Sequence, residues 1–456
     1  MAAKTLNKNY LDMTAGPILA ALVRFSVPMM IGGLFQDLYS MVDMTIAGYT
    51  LGDHAIAAIS ASAAILNMMN YSARGFNMGT SILVSNAFGE GDMEKTKKAL
   101  IAMNVLSVII SVIFTTGFLV FLNPLLRMVN TPAELYDEAK LYALIIIVGL
   151  FFCMFYNVFA CAFRALGNSK LPLYYLIFTS VLNIILDYVF IVWFRWGVAG
   201  AAWATIFSQL VSAVLSGISF FRLFPEMRFS LSEIKDVWSI IPDMFTVGIS
   251  VAVTNSIYAI GAVAIQGAVN ALGSETIIAQ SAAQKVRMFA TIPSGNIASA
   301  CATFAAQNYG ARNYDRIRKG LLTGVGFSAA INVVTYIIVF FLGGPLTRLI
   351  TNTASDQVVY MSATMLRIEC LFIWAQTAVM GYRMSIQSLK RKIVPMLGTG
   401  IELVIRTLFA FVVTPLIGFR AISYAEAASW LISGASMVIS FYILINGLKS
   451  GKYKQI

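Results

Sequence analysis

Six carboxylates sit inside otherwise apolar stretches of this sequence: Asp37, Asp43, Asp187, Glu369, Glu402 and Glu426. A charge at the centre of a bilayer costs about 2.5–3.5 kcal/mol on insertion scales, so each is a candidate for function. The segment VLNIILDYVF places Asn183 four residues before Asp187, a spacing that projects an amide and a carboxylate from one face of a helix. After a tight RWG turn, VAGAAWATI supplies the hydroxyl of Thr205, and the two helices so joined are expected to pack as neighbours. With Asp43 alongside, two carboxylates, one amide and one hydroxyl make a ligand set of oxygen alone. Such a set suits a proton or a hard monovalent cation such as sodium, and does not suit zinc or copper. Two carboxylates held together away from water repel each other, which favours a proton or a cation between them.

Asp37 lies six positions before Asp43 and falls on a different helical face. Gln36, Asp37, Tyr39, Asn255, Tyr258 and Glu402 are the polar and aromatic candidates for lining a substrate cavity. Glu402 and Arg406 have the acid-before-base spacing of a helical ion pair, and Glu426 opens its helix, where an acid suits the positive end. Cys153, Cys161, Cys301 and Cys370 all fall in apolar segments without CxxC spacing and read as small buried hydrophobes. The single histidine, His54, excludes chemistry built on several imidazoles. The sequence contains no GxxxxGK[ST], HExxH or GxSxG motif, so neither an enzyme nor ATP-driven transport by this chain is expected. No cofactor is expected beyond a coupling proton or sodium ion.

The elements that must position these side chains are membrane helices. Of 456 residues, 59% are apolar and 12% charged, about half the charge of an ordinary soluble domain, which excludes that class. Apolar runs long enough to cross about 30 Å of hydrocarbon are expected at 17–47, 55–87, 99–122, 140–163, 171–194 and 198–221, then at 239–269, 276–307, 320–342, 358–386, 393–416 and 421–446. The expectation is an all-α integral membrane protein of twelve helices. The amino terminus lacks the features of a secretory signal, so the first apolar run is expected to remain as helix 1. Lysine and arginine crowd the loops after even-numbered helices, as in Lys95, Lys97, Lys98, Arg312, Arg316, Arg318 and Lys319, whereas the opposite loops offer Arg127, Lys140, Arg195, Arg348 and Arg420. Both termini are therefore expected in the cytoplasm, in a cell inner (plasma) membrane. The net charge of +11 follows from that asymmetry and from contact with the lipid bilayer, and needs no nucleic-acid partner.

The halves of the chain resemble each other. At an offset of 221, LGDHAIAAISA (Leu51 to Ala61) pairs with LGSETIIAQSA (Leu272 to Ala282), and FGEGDMEKTKKAL with YGARNYDRIRKGL. At an offset of 223, Pro172 pairs with Pro395. This is a duplicated six-helix unit, with an amino-terminal lobe at 1–220, a cytoplasmic linker at 221–238 and a carboxy-terminal lobe at 239–456, related by a pseudo-two-fold axis along the membrane normal. The polar cluster does not repeat: Asn183 pairs with Arg406, Asp187 with Ala410 and Thr205 with Ala428, while Asp43 falls near Ala264. Hydrogen bonds needed only to hold the unit together should recur in both copies, so the one-sided cluster points to a dedicated site.

Several segments taken together resemble the multidrug and toxic compound extrusion (MATE) family of antiporters. They are GPILAALVRFSVPMMIGGLFQDLYSMVDMTIAGYTLG, RGFNMGTSILVSNAFGEGD, FRALGNSKLP, NIILDYVFI and GVAGAAWAT, and the likeness covers almost the whole chain. The resemblance implies that Asp43, Asn183, Asp187 and Thr205 form a cation site in the amino-terminal lobe, as in the prokaryotic branch related to DNA-damage-inducible F protein. The NorM branch adds an acid within helix 7, where this chain has Asn255, Tyr258 and Gln266. The implied activity is export of amphipathic organic cations in exchange for protons or sodium ions by alternating access, by a monomer. Two related activities remain open: a flippase of lipid-linked saccharide precursors, for which Arg74, Lys285, Arg287, Arg383 and Arg406 would have to furnish a cationic cavity, and a dedicated metabolite exporter.

Overall fold

The computed structural model describes residues 11–129, 131–351 and 355–453. Helices account for nearly all of it, and there are no strands among the described residues. In chain order they are α1 (Ile18–Leu51), α2 (Asp53–Glu90), α3 (Met93–Met128), α4 (Tyr136–Ala165), α5 (Lys170–Asp187), α6 (Gly197–Leu223), α7 (Ile241–Ala271), α8 (Ser274–Gly310), α9 (Tyr314–Thr351), α10 (Asp356–Leu371), α11 (Ile373–Ser388), α12 (Ile393–Leu408), α13 (Thr414–Ile417) and α14 (Arg420–Lys449). They make twelve spans, because α10 and α11 form one span bent by 48° and α12 continues through a π-turn into α13. Among the described residues, nine spans are long and apolar enough to cross a bilayer unaided, and the bent pair makes a tenth. Of the remaining two, α2 is rich in Ser and Asn and α8 in Ser, Asn and Gln, and α8 buries many of its residues among neighbouring helices. A helix shielded from lipid in this way does not need an apolar surface.

The chain divides into two compact units. One comprises Val27–Ala252; the other comprises Met13–Ser26 and the chain from Val253 onward. The duplication is visible in the backbone. Left-handed φ values occur at Gly52 and Gly273, at Gly91 and Arg312, at Gly167 and Lys390, and at Arg195 and Gly418, pairs separated by the same offsets that align the two halves. Gly91 (φ 81°) closes α2, and Asp92 then caps α3 by accepting a hydrogen bond from the Lys95 amide at 2.9 Å. In the second copy Arg312 adopts the same conformation at φ 59°. A Cβ there costs roughly 1–2 kcal/mol, which the first copy avoids with glycine.

In the amino-terminal unit α4 packs against α2, α3 and α6, and α5 lies along α6. The Gly75–Gly79 pattern serves close packing: a Cβ on Gly79 would lie 2.7 Å from the Gly248 Cα of α7. That contact seats the first part of α7 in this unit. The connection between α6 and α7 is folded as two short 3₁₀ turns, Pro225–Met227 and Leu231–Val237. Phe224, Met227 and Val237 are fully buried in the core of the unit, and Glu233 bonds Lys97 of α3 at 2.6 Å.

In the carboxy-terminal unit α8 packs against α9, α10 and α11, and α14 against α10, α11 and α12. The stretch before α1 docks here. Met13 is fully buried; its amide donates to Gln307 Oε1 at 3.0 Å, and its carbonyl accepts from Asn308 Nδ2 at 3.1 Å and from Arg316 Nε at 3.1 Å. Thus α1 begins in one unit and ends in the other.

Candidate functional site

The amino-terminal unit brings together side chains from α1, α4, α5 and α6. A Cβ on Gly32 would lie 3.5 Å from Leu173 and 3.7 Å from Leu176, so α1 runs beside α5. Farther along α1, the Asp43 carboxyl comes within hydrogen-bonding reach of the Asp187 carboxyl. Asp187 is 0% exposed and Asn183, one turn before it, is 1% exposed. Among the described residues no donor other than a shared proton reaches either Asp187 oxygen, and both polar atoms of the Asn183 amide are likewise unmatched. Two ionised carboxylates have no hydrogen to offer each other. A pair of this kind, with Asp187 fully and Asp43 partly buried, is satisfied by a proton held between the two groups or by a cation that both ligate. The Thr205 hydroxyl donates to the Ala201 carbonyl at 3.1 Å and keeps lone pairs free to accept.

Two tyrosines complete the cluster. Tyr39, one helical turn before Asp43, lies beside Thr205 and in the field of both aspartates. Tyr142 of α4 lies in the field of the same two. The sequence grouped Tyr39 with the cavity residues and did not single out Tyr142; nothing in the spacing of α4 relates it to α1 or α5. The signal that reaches Tyr39 is its i, i+4 relation to Asp43. Immediately after Asp187 the helix widens into a π-turn, Tyr188–Trp193, and Gly200 of α6 fits against it, since a Cβ there would sit 3.1 Å from the Phe190 carbonyl. A second π-turn, Phe409–Val413, follows α12 at the matching place in the other unit, where Ala410 replaces the aspartate. Beside the cluster a cavity of about 190 Å³ is lined by Asn67, Asn70, Tyr142, Cys153, Thr205 and Gln209 together with apolar side chains.

The other candidates lie apart from this cluster. Gln36 and Asp37 are partly buried in α1, with Asp37 in the field of Arg74. Asn255 is exposed on α7, and Tyr258, 37% exposed, carries the Arg406 guanidinium 4.2 Å from its ring centroid. Glu402 is buried and bonds Arg383 of α11 at 3.0 Å and Ser433 of α14 at 3.0 Å. Its i, i+4 neighbour Arg406 turns instead to Glu426 at 2.7 Å. Glu369 bonds Arg287 at 3.0 Å and accepts from Ser423 at 3.3 Å. The intramembrane acids of the carboxy-terminal unit are thus matched one for one by Arg287, Arg383 and Arg406. Those three arginines are spent on glutamates, which removes most of the basic set that a pyrophosphate-binding cavity would require. By contrast, among the described residues no basic side chain faces the two aspartates of the amino-terminal cluster. His54 lies 3.4 Å from Glu138 at an exposed position.

The MatE family profile matches residues 28–189 and 250–412, one block in each half. The chain is 31% identical over 306 residues to the probable multidrug resistance protein YpnP of Bacillus subtilis, covering 67% of this chain and 68% of that one. It is 24% identical over 367 residues to a protein of Shewanella oneidensis named FAD transporter, covering 79% and 80%. A crystal structure of a MATE protein in a bent conformation superposes with a TM-score of 0.90 over 96% of this chain and 98% of that one, at 22% identity. With both halves matched and the twelve-span, two-lobe fold in place, the chain belongs to the MatE family of multidrug efflux transporters, which are not enzymes.

Proposed function

We propose that this protein is a secondary active antiporter that exports amphipathic organic cations in exchange for protons or sodium ions by alternating access. Asp43, Asn183, Asp187 and Thr205, joined by Tyr39, form the coupling site. The observation that carries this reading is the facing pair of aspartates, Asp187 fully buried and Asp43 partly so, with no basic neighbour among the described residues. Their oxygens, with those of Asn183, Thr205 and Tyr39, form a donor set compatible with either ion. An ion shifts a conformational equilibrium only through unequal affinity for the two states, so the cluster must hold the ion more tightly in one conformation than in the other. Gln36, Asp37, Asn255 and Tyr258 are assigned to substrate contact. The protein acts as a monomer in the cell inner membrane with both termini in the cytoplasm, consistent with the placement of its lysines and arginines.

The test is ethidium transport in proteoliposomes under separately imposed proton and sodium gradients, for wild type, Asp43→Asn and Asp187→Asn. Transport driven by one gradient and lost in both variants is the expected outcome. Gradient-driven transport that survives both substitutions would place the coupling site elsewhere. The likeness to a relative named FAD transporter supports a second reading, export of a dedicated metabolite, and wild type that moves no cationic dye under either gradient would favour it.

A further inference from the structure

The central part of α8 presents Ser281, Gln284, Lys285 and Met288 on one exposed face, at the i, i+3, i+4, i+7 spacing of a helical stripe. Lys285 stands roughly 16 Å along the helix from Ser274 at 1.5 Å per residue, well inside a span. A serine, a glutamine and a lysine on one face make a poor lipid contact, and such a face belongs on a water-filled pathway or against protein. Lys285 is exposed and forms no ion pair among the described residues, whereas Arg287, Arg383 and Arg406 in the same unit are each paired with a glutamate. Of the other basic side chains within the spans of this unit, Arg287, Arg383 and Arg406 are thus matched by glutamates and Arg367 bonds the Phe340 carbonyl at 3.3 Å, whereas Lys285 has no such partner among the described residues. A separate feature points the same way. The ring of Tyr258 already carries the Arg406 guanidinium on one face, so the electron-rich surface that would attract an organic cation is partly engaged. At the matching position of the first half stands Ala64, so the ammonium belongs to one copy alone.

We propose that Lys285 is a specificity residue that binds an anionic group, carboxylate or phosphate, on the amphipathic molecules this protein transports. The inference rests on the transporter reading above and sharpens its substrate class: the favoured molecules carry a negative group in addition to their apolar body and any cationic amine. The ammonium acts as a point charge with rotatable donors, so it accepts either anion without fixing its geometry.

Two matched pairs of fluorescent ligands test this by equilibrium binding to the purified full-length protein. Rhodamine B, a zwitterion, is compared with its ethyl ester, which lacks the carboxylate; riboflavin 5′-phosphate is compared with riboflavin. Wild type should prefer the anion-bearing member of at least one pair, and the pair that shows the preference distinguishes carboxylate from phosphate. Lys285→Gln should reduce that preference about fivefold, the scale of a solvent-exposed charge pair, while Lys285→Arg keeps it. Binding of the ethyl ester should be unchanged in both variants, which also reports that they are folded. A wild type without preference in either pair, or a preference that persists in Lys285→Gln, overturns the proposal. Gradient-driven transport of the ethyl ester by wild type is measured alongside. Its loss would refute the antiporter reading while the binding preference still reports on Lys285.

Discussion

Replacing Arg406 by methionine should be among the most damaging single changes in the carboxy-terminal unit. Arg406 is 1% exposed, and its guanidinium bonds Glu426 at 2.7 Å while the Glu426 side chain is 9% exposed. The substitution leaves Glu426 with Arg287 at 4.0 Å, and that arginine is already committed to Glu369 at 3.0 Å. Two buried glutamates then share one guanidinium. Breaking a buried pair on one side typically costs about 3–5 kcal/mol because the partner stays charged and unmatched. At about 2–4 °C per kcal/mol for a unit of this size, the apparent melting temperature should fall by about 6–20 °C. Replacing both partners by apolar residues removes the unmatched charge, so Arg406→Met with Glu426→Leu should recover most of the loss. The assay is intrinsic to the chain: all four cysteines are free and buried, so a thiol-reactive fluorophore reports unfolding of the detergent-solubilised protein. If Arg406→Met melts within about 2 °C of wild type, or if the double variant is no better than the sum of the singles, the charge-matching argument is refuted.

Two further outcomes follow from packing and from the linker. Gly79→Ala puts a methyl group 2.7 Å from the Gly248 Cα and 3.0 Å from the Val247 carbonyl, so it should cost about 1–3 kcal/mol in the same thermal assay; unchanged melting would mean that α2 and α7 have room to separate there. Its hydrogen bond to Lys97 is the main influence holding the Glu233 carboxyl below its ordinary range, so the stabilisation is present above the unfolded value near 4.5 and is lost as pH falls through the lower, folded value. The melting-temperature difference between wild type and Glu233→Gln should accordingly shrink on acidification below that range and in high salt, and a difference constant across both would show that the pair contributes nothing.

The spans were legible because bilayer thickness and the positions of lysine and arginine are one-dimensional signals. Even α2 and α8, too polar to be recognised as spans by apolarity alone, were recoverable from the polar breaks on either side of them. The bend between α10 and α11 was not: Phe372 and its neighbours include neither proline nor glycine, and the break is marked by tight bonds from Phe372 to the Glu369 carbonyl and from Ala375 to the Phe372 carbonyl. The partners of buried charges were the least legible part. Helical spacing pointed Arg406 at Glu402, yet Arg383 from another helix takes Glu402 and leaves Arg406 to Glu426. Spacing along one helix cannot report a guanidinium that arrives from a second. The same limit hid Tyr142, whereas Asn183 and Asp187 could be related from the sequence because their spacing lies within a single helix.

The docking of Met13 has a consequence for biosynthesis. Its hydrogen-bonding partners Gln307, Asn308 and Arg316 lie 294 to 303 residues downstream. At about 5–20 residues per second, a ribosome needs on the order of 15–60 s to make the chain in between. Throughout that interval the leading end of α1 has been translated while its binding partners do not yet exist. Helix α1 is therefore translated long before it can complete these contacts, and the amino-terminal half released alone would lack the partners of Met13 permanently.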